Sequence, residues 1–204
     1  MLSNRGRIIA IEGIDQSGKR VQTGLLAKKL TKNGYRTSVW SFPDYSTPVG
    51  KQLRAYLAGR SNFDFHAAHL LYAANKWEKV HKLEREIRSG RNIIVNRYTP
   101  SNLAYGVAHG LPLQWLESLE KGLPNPNIVF VLDITPQTSF VRKKKRRDFH
   151  ESDRDYLNRV RRAYSRLAPR YGWRKIDGNR QPAIVSFDLW AQVSPLLRAR
   201  PTRR

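Results

Sequence analysis

The sequence predicts an α/β fold in which a five-stranded parallel sheet carries helices on both faces. Three observations support this. Apolar, β-branched runs recur along the chain, longer stretches of helical character separate them, and the middle runs are apolar nearly throughout, as strands covered on both faces are. Alternation of strand and helix builds a parallel sheet through crossover helices.

The elements follow in order. RIIAIEG (7–13) reads as the first strand and 18–33 as the first helix. RTSVWSF (36–42) is the second strand, after which Pro48 and Gly50 open a helix over 48–58. One long helix is expected over 65–89, where Trp77, Val80, Leu83 and Ile87 form an apolar stripe at helical spacing. NIIVNRY (92–98) is the third strand, followed by helix over 99–120 in two pieces, and NIVFVLDIT (127–135) is the fourth. Helices over 136–147 and 153–170, the strand GWRKID (172–177) and a helix over 181–198 complete the series.

With 204 residues, 40% hydrophobic and 10% aromatic, the chain has enough apolar material for one full core. No repeat or linker divides it, so a single domain over 1–204 is expected. The absence of cysteine excludes disulfides and thiolate metal sites and fits a reducing compartment. No apolar run reaches the length of a membrane span, and the first residues read as a strand rather than a signal peptide. A soluble, cytoplasmic protein without a membrane partner is expected. The five histidines form no HExxH, and His66 and His69 have no third ligand placed beside them. Lys and Arg number 38 against 16 Asp and Glu, a balance of +22 that attracts polyanions. Nucleotides and nucleic acid both qualify, although no zinc-finger or RNA-binding signature is present.

In a parallel sheet, ligands bind beyond the carboxyl ends of the strands. GIDQSGKR (13–20) lies there, after the first strand. Gly13, four residues, Gly18 and Lys19 have the spacing of a loop whose N–H groups cradle phosphate, with Lys19 as a point charge on the outer phosphates. Arg20 takes the position at which a hydroxyl normally reaches Mg²⁺, and Val21 follows. SFPDYSTPVGKQLRAYL (41–57) reads by itself as a strand-to-helix loop with a proline stop. Tyr72 and Lys76 share a helix face, which suits a flat base and its carbonyl, but taken alone the pair reads first as a core tyrosine with a solvated lysine. Asn96 and Arg97 end the third strand, where Arg97 can grip a phosphate or serve a structural ion pair. Ser101, Asn102 and Tyr105 follow on nearby helix faces. Arg142 to Arg147 are six basic residues in a row: a solvated face, an RNA-binding patch, or a lid that neutralises triphosphate charge.

Taken together and in this order, IEGIDQSGK, FPDYSTPVGKQLRAYL, LLYAANKWE and NRYTPSNLAYG resemble the blocks of the thymidylate kinase family, from Ile8 to about Gly178. The resemblance implies a three-layer P-loop NTPase fold with a short basic lid at about 141–153. It also implies a homodimer and transfer of the γ-phosphoryl of ATP to dTMP with Mg²⁺. It assigns ATP to Gly13, Ile14, Asp15, Gln16, Ser17, Gly18, Lys19, Arg20 and Val21. It assigns dTMP to Asp15, Phe42, Pro43, Tyr45, Tyr72, Lys76, Arg97, Ser101, Asn102 and Tyr105. Asp15 would hold the 3′-hydroxyl or the acceptor phosphate and its metal, Tyr72 would stack on thymine, and Lys76 would meet a base carbonyl. Ser101 or Asn102 would meet the thymine edge, and Tyr105 would crowd out a ribose 2′-hydroxyl. Lys19, Arg97, Arg142, Arg146 and Arg147 form the implied catalytic set, with Mg²⁺ on Asp15 and Glu12, partly through water. Four positions depart from the family pattern: Arg20 replaces the metal hydroxyl, Tyr45 a phosphate-binding arginine, Lys76 an arginine, and Asn96 an aspartate. Gln16 also cannot supply the loop arginine that some members use. Two other readings stay open: a homologue that binds nucleotides without turnover, and a basic nucleic-acid-binding protein on a P-loop scaffold.

Overall fold

The fold is described from a computed structural model over residues 5–143 and 153–198. The strands β1 (Ile8–Glu12), β2 (Thr37–Ser41), β3 (Asn92–Asn96), β4 (Ile128–Asp133) and β5 (Arg174–Asp177) form one parallel sheet. Its order is β2-β3-β1-β4-β5. The helices are α1 (Lys19–Lys32), α2 (Pro48–Leu57), α3 (Phe65–Trp77), α4 (Val80–Arg88), α5 (Thr99–Ala108) and α6 (Leu113–Glu120). They continue with α7 (Pro136–Arg142), α8 (Arg154–Tyr171) and α9 (Pro182–Arg198).

The apolar strands explain the layering. Alternate residues leave opposite faces of a strand, and here both faces are buried. Ile8, Ala10, Ile93, Val95, Val129 and Val131 pack with Leu103, Leu157 and Tyr164 on one side. Ile9, Ile11, Ile94, Phe130 and Leu132 pack with Leu26 and Leu30 of α1 and Leu189 and Val193 of α9 on the other. Parallel register sets the strand ends level: Ser41 and Ile11 both pair with Asn96. The loops after β1, β2 and β3 therefore leave the same edge of the sheet.

Three boundaries differ from expectation. The helix expected over 65–89 is two, broken at Glu78 and Lys79. There the Lys79 N–H bonds three residues back to Lys76 O, at 3.0 Å. Glu78 accepts from Val49 N, and Lys79 pairs with Asp44 at 2.7 Å. These contacts to the loop after β2 override the periodic stripe, and Trp77 stays 40% exposed. The strand expected from 172 starts at 174, because Gly172 adopts a left-handed cap (φ 66°) that ends α8. Helix α7 ends at Arg142, and residues 144–152 of the expected lid lie outside the described residues.

Candidate active site

Glycine makes the first loop possible. At Gly13 the backbone has φ 131°, and an added Cβ would stand 2.5 Å from Leu132 O and 2.8 Å from Ser17 Oγ. Gly18 caps α1 with φ 97°. Lys19 is buried, and its Nζ donates to Gly13 O at 3.0 Å and Ile14 O at 2.7 Å, drawing the loop around the ammonium. The Ile14 side chain belongs to the core, so this residue serves the loop through its carbonyl. Asp15, Gln16, Ser17, Gly18, Lys19, Arg20 and Val21 all line the cavity in front of α1. Arg20 is exposed there, and the Thr23 hydroxyl is turned back onto Lys19 O at 2.7 Å, so it does not replace the missing hydroxyl. Arg142 closes one side: its Nη1 donates to Gln16 O at 3.0 Å and its Nη2 to Gly178 O at 2.8 Å. Arg146 and Arg147 lie outside the described residues.

A second cavity adjoins the first. Phe42, Pro43 and Tyr45 supply one wall, Tyr72 and Lys76 of α3 another, and Ser101, Asn102 and Tyr105 of α5 a third. Asp15 and Arg97 line both cavities. Arg97 reaches this junction from a left-handed backbone, φ 62°, a conformation that is uncommon for a side-chain-bearing residue and concentrated at functional sites. It forms an ion pair with Asp15 and also donates to Gly13 O at 3.4 Å and Ser101 Oγ at 3.3 Å. Its guanidinium lies over the Tyr105 ring, 4.9 Å from the centroid, and the Tyr105 hydroxyl donates to Asp15 Oδ2 at 3.0 Å. Burial pushes the Asp15 carboxyl up, but Arg97, Lys19 and the hydrogen bonds from Arg97 and Tyr105 outweigh it and hold the group well below the usual carboxylate range. Asp15 is therefore an anion fixed between the two cavities.

Glu12 is a correction. The resemblance puts it near Mg²⁺, but its carboxylate is turned into the core and is fully buried. It accepts from Tyr98 N at 2.7 Å, Ser101 Oγ at 2.5 Å and Tyr164 OH at 3.0 Å. Burial raises its pKa, and these bonds with the charge of Arg97 only partly offset that. Glu12 ties β1 to α5 and α8. No group of three or more His, Cys, Asp or Glu suited to a metal ion occurs among the described residues. Ser101 and Asn102 line the second cavity as expected, but their hydrogens are committed. Ser101 donates to Glu12, and Asn102 Nδ2 donates to Glu120 at 2.6 Å. Lys76 also lines the cavity while paired with Glu120 at 3.0 Å. Tyr45 lines it with the Arg54 guanidinium 5.0 Å above its ring.

Sequence reasoning passes over several contributors. His69 shares a helix face with Tyr72 and Lys76, so its spacing carried a signal. Gly178 and Arg180 follow β5, at the same sheet edge as the other loops. Tyr156 reaches the second cavity from α8, and nothing in its local sequence announces that. Asn75 anchors the loop after β2, accepting from Asp44 N at 2.8 Å and donating to Thr47 Oγ1 at 2.8 Å.

Comparison with known proteins agrees with this geometry. The family model described as thymidylate kinase matches residues 11–187. The chain is 42% identical over 133 residues to a thymidylate kinase of Arabidopsis thaliana, covering 65% of this chain and 51% of that protein, so it spans about half the length of that relative. It is 31% identical to the thymidylate kinase of Danio rerio over 93% of this chain and 90% of that one. A solved thymidylate kinase from Candida albicans superposes with a TM-score of 0.84 at 29% identity, covering 94% of this chain and 92% of the other. Both the two-cavity site and the near full-length matches lead to one conclusion: the chain belongs to the thymidylate kinase family.

Proposed function

We propose that this chain transfers the γ-phosphoryl group of ATP to dTMP, giving ADP and dTDP. The observation that carries the reading is the junction itself: Asp15 and Arg97 line both the phosphate-loop cavity and the aromatic one. Two nucleotides seated there would meet phosphate to phosphate. The N–H groups of the loop and of α1 bind the ATP phosphates with Lys19. Arg97 holds the acceptor phosphate, since its five N–H donors can serve Asp15 and a phosphate together. Tyr72 stacks on the base, Lys76 donates to a base carbonyl, and Tyr105 limits the sugar. The acceptor oxygen then attacks the γ-phosphorus in line as the bond to the β–γ bridging oxygen breaks. The catalytic work is positioning and charge neutralisation.

The residues present fit Mg²⁺ held mainly through water. Asn96 Oδ1 and Ser17 Oγ are buried oxygens with no partner among the described residues, and both residues line the phosphate cavity. Asn96 Nδ2 donates to Ser41 Oγ at 3.1 Å, which fixes the amide. Asn96 and Asp15 would hold the ion, and Mg²⁺ commonly keeps several waters. Bound there, it neutralises charge on the phosphate oxygens.

We also propose a homodimer in a cytoplasmic setting. Leu70 and Trp77 lie on one face of α3 and are 50% and 40% exposed, which supports a second copy as partner. No helix among the described residues is long and apolar enough to cross a membrane.

A coupled ADP-release assay with dTMP, dUMP, dCMP and dGMP tests the activity. Turnover is expected with dTMP, and Lys19→Ala should lower it by at least about a hundredfold, close to 2.7 kcal/mol. Binding of dTMP with no ADP release would make the chain a nucleotide-binding homologue without turnover. Retention on RNA or DNA with no nucleotide binding would favour the nucleic-acid reading.

A further inference from the structure

Behind the aromatic cavity runs a chain of buried polar side chains. Lys76 and Asn102 are each 3% exposed, His69 1% and Glu120 9%. Glu120, at the end of α6, does not line the cavity, yet two residues that do are bound to it. Its Oε1 receives Lys76 Nζ at 3.0 Å and Asn102 Nδ2 at 2.6 Å, while Oε2 is buried with no partner among the described residues. Because a carboxylate only accepts, the Asn102 amine faces Glu120 and its Oδ1 faces His69 Nδ1, at 2.6 Å. His69 then carries its proton on Nδ1 and meets His109 Nδ1 through Nε2, at 3.1 Å.

An ammonium has three N–H donors. At Lys76 one goes to Tyr72 O at 2.8 Å and one to Glu120, which leaves one for a ligand. A cation this buried depends on its counter-charge, because removing one partner of a buried pair leaves an uncompensated charge. Tyr72 and His69 lie on the same face of α3 as Lys76, and Tyr98 stands at the start of α5. Burial, and then the charges of Glu120 and of Glu84 of α4, hold the Tyr98 phenol well above its ordinary range, so it stays neutral.

We propose that Glu120 is a positioning residue for the nucleobase, holding the Lys76 ammonium in place at the cavity and Asn102 in one amide orientation. This rests on the reading of the cavity as the dTMP base site. Glu120 touches no substrate and acts through Lys76. The chain presents a donor to a base carbonyl, and the Asn102 oxygen is committed to His69.

Glu120→Gln keeps the size and removes the charge. The measurement is KM for dTMP, KM for ATP and kcat at pH 8, each taken as a ratio to wild type. At pH 8 the dTMP KM should rise at least about tenfold, with kcat and ATP KM within about twofold, a split that general unfolding would not produce. Lys76→Met should raise dTMP KM similarly, and adding Glu120→Gln to it should cost little more. An unchanged dTMP KM in Glu120→Gln, or a loss shared equally by ATP, overturns the proposal. An unchanged dTMP KM in Lys76→Met overturns the base-site reading itself and the proposal with it. Should Glu120→Gln not fold, Glu120→Asp keeps the charge but withdraws it from Lys76. It should raise dTMP KM alone, and an unchanged value overturns the proposal.

Discussion

Arg97 illustrates how much one residue carries here. Its left-handed backbone turns the side chain into the junction, where it pairs with Asp15, borders Ser101 and lies over Tyr105. Tyr105 then has two separable duties. Its hydroxyl holds Asp15, and its ring occupies the cavity wall. A hydrogen bond to a charged group contributes about 1.5–3 kcal/mol. Tyr105→Phe should therefore lower kcat/KM for dTMP by roughly ten- to a hundredfold and leave the UMP-to-dUMP ratio unchanged. Tyr105→Ala should raise that ratio, and steady-state kinetics of wild type and both variants with dTMP, dUMP and UMP checks both. Asn96 is a second case. Its Oδ1, which has no partner among the described residues, can orient a metal-bound water but adds no charge. Asn96→Asp should leave kcat similar and lower the Mg²⁺ concentration for half-maximal rate severalfold, as read from an Mg²⁺ titration. A higher Mg²⁺ requirement in the variant would remove Asn96 from the metal's surroundings.

At the scale of elements, the site is an assembly of strand ends. The loops after β1, β2 and β3 leave one sheet edge because their strands pair in parallel at level register. The loop after β2 is held by Asn75 from α3, and the loop after β5 is joined to the phosphate loop by Arg142 at the end of α7. Arg142 is the residue of the basic run that falls within the described residues and lines the phosphate cavity. If it neutralises developing charge, Arg142→Ala should lower kcat at least about tenfold with little change in ATP KM. A raised ATP KM at constant kcat would instead make it a clamp on the loop carbonyls. The break between α3 and α4 belongs to this scale too: it turns Lys79 toward Asp44 and steadies the same loop.

The whole molecule is a two-sided sheet with a strongly basic surface, +22 over 204 residues. Self-repulsion at that charge is screened beyond about 8–10 Å in ordinary salt, so an apolar patch can still join two copies. Light scattering is expected to give twice the chain mass, and Leu70→Glu combined with Trp77→Glu should halve it without unfolding. A monomeric wild type would reassign that exposed face of α3.

Much of this was legible from the sequence for definite reasons. Runs such as NIVFVLDIT are apolar on both faces, and only a covered strand needs that. Gly13, Gly18 and Lys19 declare a phosphate loop because spacing and backbone freedom are local properties. The four blocks, read together, pointed to the family. Tertiary structure alone decided the partners. Glu12 and Asp15 stand three residues apart, yet one is turned into the core under Tyr164 and the other toward Arg97 and Tyr105. Lys76 meets Glu120, and Tyr156 enters the aromatic cavity from a helix beyond the basic run. Periodicity reports which face of an element is buried, but it does not name the side chain that another element brings against it. That choice is made by the packing of helices onto the sheet, which sets every long-range polar contact of the site.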